Sequence, residues 1–597
     1  MKRSPVETLG WAILGLLLLA TLAGAVLFNR SKLPLLGDEA TYAMQAASLA
    51  HDFDLAYTKE DYDRFVAVWG VKPEGLILQS RERSERLVYA KPPLYALVIA
   101  PFVRFAPVRG GPIANALMLA AAALLAARTL RVRLGGAAPL WVAVFLFASV
   151  AFAYVFWGEA DLFLLAAVAA GFALVYGGDR TASAPASVYQ GEETESARRV
   201  FLRWLGAGAL LAVAVAYRPF YLALFLPALL AARSLPAEHR RRGLAGLALG
   251  VVVLLGVSAG LQRASGGDWT GYGGKRQGIY ARQDYPAVDF PAERWSARVE
   301  RQGNASWLQR EAVRPELNPR LAGWNALYFL VGRSVGVLPY FLPLFLGLLG
   351  LLGHREDRGR WSILLAVAAA ALAFLLLRPF NFFGGGPLGN RYFLPLYPAL
   401  WFLAARPVRA VWAVAAAALA GLFLWPLWLH PTAYPVTQAG DYRHVSAAAR
   451  RFLPYETTQN AVPGEQAVAG GGLWVRLLDH NAWPAPRGQS FRMVGNATAE
   501  ILVGSPQPLD SLFIELDRNA PTKLAVGEEE LRPLMLGADG SIAFQIPLHG
   551  ARAVHPLWWS PHDYHLYELT LRLPGGPPSP VGFRIEPPRD LIKRSGE

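Results

Sequence analysis

The chain has 597 residues, 54% of them hydrophobic, and it contains no cysteine. That apolar fraction, with a mean hydropathy of +0.27, excludes an ordinary soluble protein and places the chain in the polytopic membrane class. The missing cysteines exclude disulfides, thiolate metal sites and cysteine nucleophiles. The net charge of +14 reads as Lys and Arg collected in short inner loops, not as a nucleic-acid surface.

Lys2 and Arg3 precede an apolar run from about Leu9 to Phe28, which is long enough for a first span. A cleaved signal peptide is the competing reading, and the further spans downstream argue against it. Residues 29–110 form a long first outer loop. Within it, Ala40 to Ala50 predicts a short amphipathic helix with Tyr42, Ala46 and Leu49 on one face. Asp38 and Glu39 stand at its start, where a helix N-terminus favours carboxylates. Pro92 to Ala106 is apolar but short, and predicts an interfacial or re-entrant helix. Further spans are predicted near 112–130, 138–157, 162–177, 201–216, 219–233, 243–261, 334–353, 361–378, 392–405 and 408–428, about eleven crossings with the first.

The charges orient these spans. With the N-terminus inside, the inner loops hold Arg128, Arg131 and Arg133, then Arg198 and Arg199, then Arg240, Arg241 and Arg242. The last two hold Arg355, Arg358 and Arg360, then Arg406 and Arg409. Every inner loop is basic, as the positive-inside rule expects. Counting Pro92–Ala106 as a full span would invert all of them. The Gly177–Ser196 stretch reads as a flexible inner loop. A second long outer loop, 262–320, contains a Gly-rich basic segment ending in Lys275 and Arg276, which reads equally as a substrate lid or a linker.

After Leu429 the character changes. Residues 431–467 read as a connecting helix, from Tyr442 to Leu453, and a linker. From 468 to 597, short alternating segments such as Leu512–Leu516, Ile542–Ile546 and Tyr567–Leu571 are separated by Gly, Pro and Asp, and predict a β-sandwich. The expected fold is an α-helical polytopic membrane core over 1–430 with a C-terminal extracytoplasmic β-sandwich.

Several charged residues gather at the predicted outer edge. Asp38 and Glu39 directly follow the first span and share their loop with Lys91. Desolvation raises a carboxylate's basicity there and a nearby cation lowers it, which is the tuning a general base needs. A helix cap with solvated charge would explain an isolated acid pair, but not one that shares its loop with Lys91. Lys91 opens Lys91-Pro92-Pro93, where the prolines hold a stiff extended backbone; it is either a snorkelling lysine or a phosphate contact. Glu159 and Asp161 stand at an outer mouth between two spans, where acids are costly and functional by default. Arg218 and Arg391 are predicted to face the same outer surface; each alone reads as an interfacial anchor. No Walker loop, dinucleotide-binding fingerprint or HExxH is present.

The Gly37-Asp38-Glu39-Ala40-Thr41-Tyr42 and Lys91-Pro92-Pro93-Leu94-Tyr95 segments resemble the GT-C membrane glycosyltransferases, within them the protein mannosyltransferase and lipid A aminoarabinose transferase branch. Glu159 and Asp161 fall where that superfamily often carries a second acidic motif. Arg391-Tyr392 with Leu394-Pro395-Leu396-Tyr397-Pro398 resembles its late Arg-Tyr-x-x-Pro element. The likeness covers roughly residues 8–430.

The resemblance implies a sugar donor on a polyprenyl phosphate and an extracytoplasmic glycan, lipid or protein as acceptor. It also implies inversion at the anomeric carbon, with Asp38 as base and Glu39 as the fallback. Lys91, Arg391 and Arg218 would hold the leaving phosphate, with Tyr42, Glu159 and Asp161 lining the substrate. No cofactor is required; Glu159 and Asp161 are the pair a divalent metal would use, though their spacing matches metal-binding relatives only loosely. Two other readings stay open: a lipid or glycan transporter, and a ligase or polymerase using a lipid-pyrophosphate donor. A transporter should place charges in mid-span along a path, whereas here they cluster at the outer edge.

Overall fold

The computed structural model describes residues 4–31, 35, 37–73, 76–80, 87–177, 196–270, 275–279, 319–352, 357–379, 381–384, 388–404, 409–432, 445–459, 465–478, 481–485, 490–518, 523–536, 540–557 and 563–588. The Gly177–Ser196 loop apart from its two ends, and most of the 262–320 loop, therefore lie outside the described residues.

The first helix, α1 (Pro5–Leu27), starts at Ser4, whose hydroxyl accepts from Glu7 N at 3.2 Å, with Pro5 at the first helical position. Then come α2 (Asp38–His51), α3 (Lys59–Trp69), α4 (Leu94–Phe105), α5 (Gly110–Leu134), α6 (Ala138–Phe147), α7 (Asp161–Tyr176), α8 (Ala197–Tyr217), α9 (Phe225–Arg233) and α10 (Ala237–Ala264). The later helices are α11 (Pro319–Val331), α12 (Val337–Tyr340), α13 (Leu344–Leu352), α14 (Arg358–Leu377), α15 (Ala410–Leu429) and α16 (Ala447–Phe452). Among the described residues, six helical stretches are long and apolar enough to cross a membrane: α1, Gly110–Phe147, α8, α10, and most of α14 and α15.

Length decides the remaining segments. At 1.5 Å per residue α4 spans only about 18 Å, too short to cross a hydrocarbon core of roughly 30 Å. The predicted 138–157 span is α6 followed by a 3-10 helix, Val150–Phe156; with about 2 Å per residue in the 3-10 part, the two reach roughly 29 Å. The 334–353 and 392–405 segments differ from the expectation. The first is broken into α12 and α13, and the second into turns and a 3-10 helix, Tyr397–Leu403. Pro339, Pro343, Pro395 and Pro398 withhold backbone donors and stop a continuous α-helix. Helix α11 was not expected, since it fills the gap between the predicted outer loop, ending near 320, and the predicted 334–353 span.

A three-stranded sheet joins the first and second long loops. Strand β1 (Leu76–Ser80) pairs antiparallel with β2 (Leu87–Tyr89) on one side and with β3 (Lys275–Ile279) on the other. The two loops therefore lie on one face of the molecule. Lys275 and Arg276 sit on β3, opposite Ser80 and Gln79; their side chains lie outside the described residues.

The C-terminal region is a sandwich. Its strands are β4 (Glu465–Val468), β5 (Trp474–Leu477), β6 (Ala482–Pro484), β7 (Ser490–Val494), β8 (Thr498–Ser505), β9 (Ser511–Leu516), β10 (Leu524–Val526), β11 (Glu529–Leu531), β12 (Met535–Leu536), β13 (Ile542–Pro547), β14 (Ala553–Pro556), β15 (Asp563–Arg572) and β16 (Pro580–Glu586). One sheet runs β11-β10-β15-β8-β5-β4 with β14 on β15, and the other runs β12-β13-β9-β16-β7-β6. Alternation builds the core: Leu512, Ile514 and Leu516 of β9 are buried with Phe583 and Ile585 of β16. Trp474, Leu502 and Leu566 of the first sheet pack instead into the helical core.

Candidate functional site

Helix α2 begins two residues earlier than the apolar pattern suggests. Gly37 caps it at φ 58°, which puts Asp38 and Glu39 in its first turn. Successive residues on a helix point about 100° apart, so the two carboxylates go to different places. Asp38 faces a cavity of about 880 Å³, whereas Glu39 turns the other way. There Glu39 pairs with Arg30 and accepts from Gly158 N at 2.9 Å. Arg30, which the sequence did not single out, is buried with it.

Three cations meet three acids at the Asp38 end of the cavity. Asp38 Oδ1 lies 2.5 Å from Lys91 Nζ, and Asp38 Oδ2 lies 3.2 Å from a guanidinium nitrogen of Arg391. Arg391 also pairs with Glu159 and reaches to 4.0 Å from Asp161. Asp161 pairs with Arg218 at 2.6 Å. Residues separated by more than three hundred positions thus close one ion-pair chain: Lys91, Asp38, Arg391, Glu159, Asp161, Arg218. Tyr42 lines the same cavity, with the Lys91 ammonium 5.8 Å from its ring centroid.

Burial raises the affinity of Asp38 for a proton, but Lys91 and Arg391 pull harder, and its carboxyl falls well below the usual carboxylate range. Glu159 goes the other way. Burial pushes its carboxyl well above the ordinary value; the Arg391 guanidinium pulls it down, and the nearby Asp38 and Asp161 charges push it up again. Counting Arg378, four cations line the cavity against three carboxylates. The site is therefore set for an anion. Glu159 and Asp161 are each engaged by a guanidinium, and among the described residues no group of three or more His, Asp or Glu is arranged to hold a metal ion.

Each member is held by buried bonds. The Tyr217 hydroxyl accepts from Tyr95 N at 2.8 Å and donates to Pro92 O at 3.0 Å, clamping both ends of the Pro92–Tyr95 segment after Lys91. Gln45 Nε2 donates to Lys91 O at 3.0 Å. Arg391 follows a turn built by Gly389 and Asn390. Gly389 has φ 84°, and a Cβ there would sit 2.6 Å from Val150 Cγ1. The Asn390 side chain accepts from Tyr392 N and Phe393 N, both at 3.0 Å. Gly389 N donates to Ser334 O at 2.8 Å, and Ser334 N and Val335 N donate to Glu456 Oε1 at 2.6 and 2.9 Å. The linker before the sandwich thus reaches the Arg391 turn. The same linker holds a second turn, where Gln459 accepts from Phe382 N at 3.0 Å and donates to Pro379 O at 3.1 Å.

Sequence reasoning missed Tyr217, Asn381, Gln262 and Arg378. Tyr217 had a signal, since it directly precedes Arg218-Pro219. Asn381 and Arg378 flank a proline at the C-terminal end of α14, where polar residues beside an apolar helix invite the same question.

No protein-family model matches the chain, and no curated protein matches it. Among solved structures, ArnT from Cupriavidus metallidurans bound to undecaprenyl phosphate is similar at 18% identity and a TM-score of 0.32, with 66% of this chain and 59% of that chain covered. The apo state of the same protein is similar at 17% identity and a TM-score of 0.35, covering 71% and 65%. The chain thus spans less than two thirds of the length of either structure.

Proposed function

We propose that the chain is an integral-membrane glycosyltransferase that moves a sugar from a polyprenyl-phosphate donor to an extracytoplasmic hydroxyl acceptor. The observation that carries this reading is the convergence of Lys91, Arg391 and Arg218 with Asp38 in one cavity of about 880 Å³ at the outer ends of α8, α10 and α14. The exposed apolar flanks of α10 and α14, including Val252, Val257, Leu372 and Leu376, support a cavity that opens beside lipid.

In this reaction the acceptor oxygen attacks the anomeric carbon as its proton passes to Asp38. The bond between that carbon and the phosphate oxygen breaks, and the electron pair leaves with the phosphate, inverting the configuration. Lys91 and Arg391 meet the charge that grows on the departing oxygen. The first loop, the cavity and the C-terminal sandwich are assigned to the outer side, from the basic inner loops.

Purified variants test the reading. Asp38→Asn keeps the side chain's shape but cannot take a proton, and transfer should fall by about 10²–10⁴-fold. The variant should bind polyprenyl phosphate at least as tightly as wild type, because Asp38 no longer competes for Lys91. Lys91→Met should weaken that binding. Wild-type transfer rates from both variants would end this assignment.

A further inference from the structure

Besides the charged residues, the cavity is lined by uncharged polar side chains. Ser258 and Gln262 of α10 are one helical turn apart and line it together, with Leu255 and Ala259 between and beside them. Gln262 is 2% exposed. Its Nε2 donates to Tyr89 O at 3.3 Å, which fixes the amide's orientation, while its Oε1 is buried with no hydrogen-bond partner. Tyr89 is two residues before Lys91, at most ~7 Å along the backbone, so Gln262 is tied to the strand that leads into Lys91.

Asn381 lines the same cavity from the turn after α14. That turn is tied down on both sides by Gln459 of the linker, and Asn381 N donates to Arg378 O at 2.9 Å. Its Oδ1 is also buried without a partner. A buried polar atom left unmade costs about 1–3 kcal/mol, and two such acceptors lining one cavity point to a ligand that supplies two donors.

We propose that Gln262 Oε1 and Asn381 Oδ1 read hydroxyl groups of the transferred sugar, and that this sugar is uncharged. The inference rests on the glycosyltransferase reading. Hydroxyls and an ammonium can both donate to an amide oxygen, and charge separates them. Each of the three carboxylates lining the cavity is engaged by a cation of the protein, and the cavity's cations outnumber them, so an amino sugar would enter a positive field with no carboxylate to meet it.

The test compares donors carrying a neutral hexose and an amino sugar on the same polyprenyl phosphate, with binding of sugar-free polyprenyl phosphate measured alongside. Wild type should use the neutral donor at least 10-fold better in kcat/KM. Asn381→Leu, which keeps the side chain's size but removes its amide, should lower kcat/KM for the neutral donor on the order of 10–100-fold while sugar-free polyprenyl phosphate binds as before. Asn381→Asp should shift the preference toward the amino sugar. Gln262→Met gives a second loss at the other acceptor. Preference for the amino-sugar donor by wild type, or unchanged discrimination in Asn381→Leu and Gln262→Met, overturns the inference and leaves the transferase reading intact. Failure of wild type to bind polyprenyl phosphate removes both.

Discussion

Replacing Tyr217 by Phe tests how the site is held. The Tyr217 ring packs against Tyr42 and Phe163, with centroids 6.5 and 6.3 Å away, and Phe keeps that packing. The hydroxyl is what is lost. Its removal leaves the Tyr95 N–H and the Pro92 carbonyl, both buried, without the partner they had at 2.8 and 3.0 Å. At about 1–3 kcal/mol for each orphaned group, with partial relaxation, the cost should be roughly 2–4 kcal/mol. The strain falls on the segment that aims Lys91, so donor affinity should fall along with stability. Thermal unfolding in detergent and binding of polyprenyl phosphate, measured on the same preparations, check this. A variant as stable as wild type with unchanged donor affinity would refute the idea that this hydroxyl positions Lys91.

Glu456 gives a pH prediction. Burial raises its carboxyl from 4.5 to about 7, against the pull of the Ser334 and Val335 N–H groups and Arg333. A folded value above the unfolded one means that its contribution is complete below about 4.5 and lost as pH rises through 7. At ~1.4 kcal/mol per tenfold in proton affinity that loss is about 3 kcal/mol. Glu456→Gln keeps the accepting oxygen without the ionisation, so it should match wild type at pH 5 and exceed it in unfolding temperature at pH 8; equal pH dependence in the two proteins would contradict this. Glu39→Gln should act on folding more than on chemistry. It strips the Arg30 guanidinium of its buried carboxylate, a loss of about 3–5 kcal/mol, while protein that folds keeps kcat within a few-fold. A selective collapse of kcat with normal stability would make Glu39 the base.

The parts of this fold legible in sequence are those where one local rule acts alone. The sandwich strands alternate with period two, and the structure places the Leu512–Leu516, Ile542–Ile546 and Tyr567–Leu571 segments inside β9, β13 and β15. Asp38 and Lys91 stand out because each adjoins an apolar segment, and the structure joins them at 2.5 Å. What stayed hidden depends on three dimensions. Hydropathy measures how long an apolar run is but not whether it coils as α or 3-10, so the 392–405 segment read as a span. The β1–β3 pairing links loops far apart in the chain, and nothing in either strand names its partner. Asp38 and Glu39 look equivalent as neighbours, and only the rotation of α2 separates a cavity acid from one locked to Arg30.

The electrostatics of Asp38 pose a difficulty that the geometry also resolves. A carboxylate held far below its ordinary range is a weak base, and general-base catalysis favours a value near the working pH. The depression comes from Lys91 and Arg391, the same cations assigned to the donor phosphate. When phosphate engages them, their charge is shared and Asp38 is left with the burial that raises its proton affinity. In the proposed reaction the donor therefore makes its own base. The acid limb of kcat/KM reports the free enzyme and that of kcat reports the donor complex, so the limb for kcat should lie at higher pH. Lys91→Met should narrow the gap, because Asp38 then starts closer to its unpaired value. Coincident limbs in wild type would show that donor binding leaves Asp38 unchanged, and the base would then have to be sought elsewhere in the cavity, first at Glu159, where burial already favours the proton.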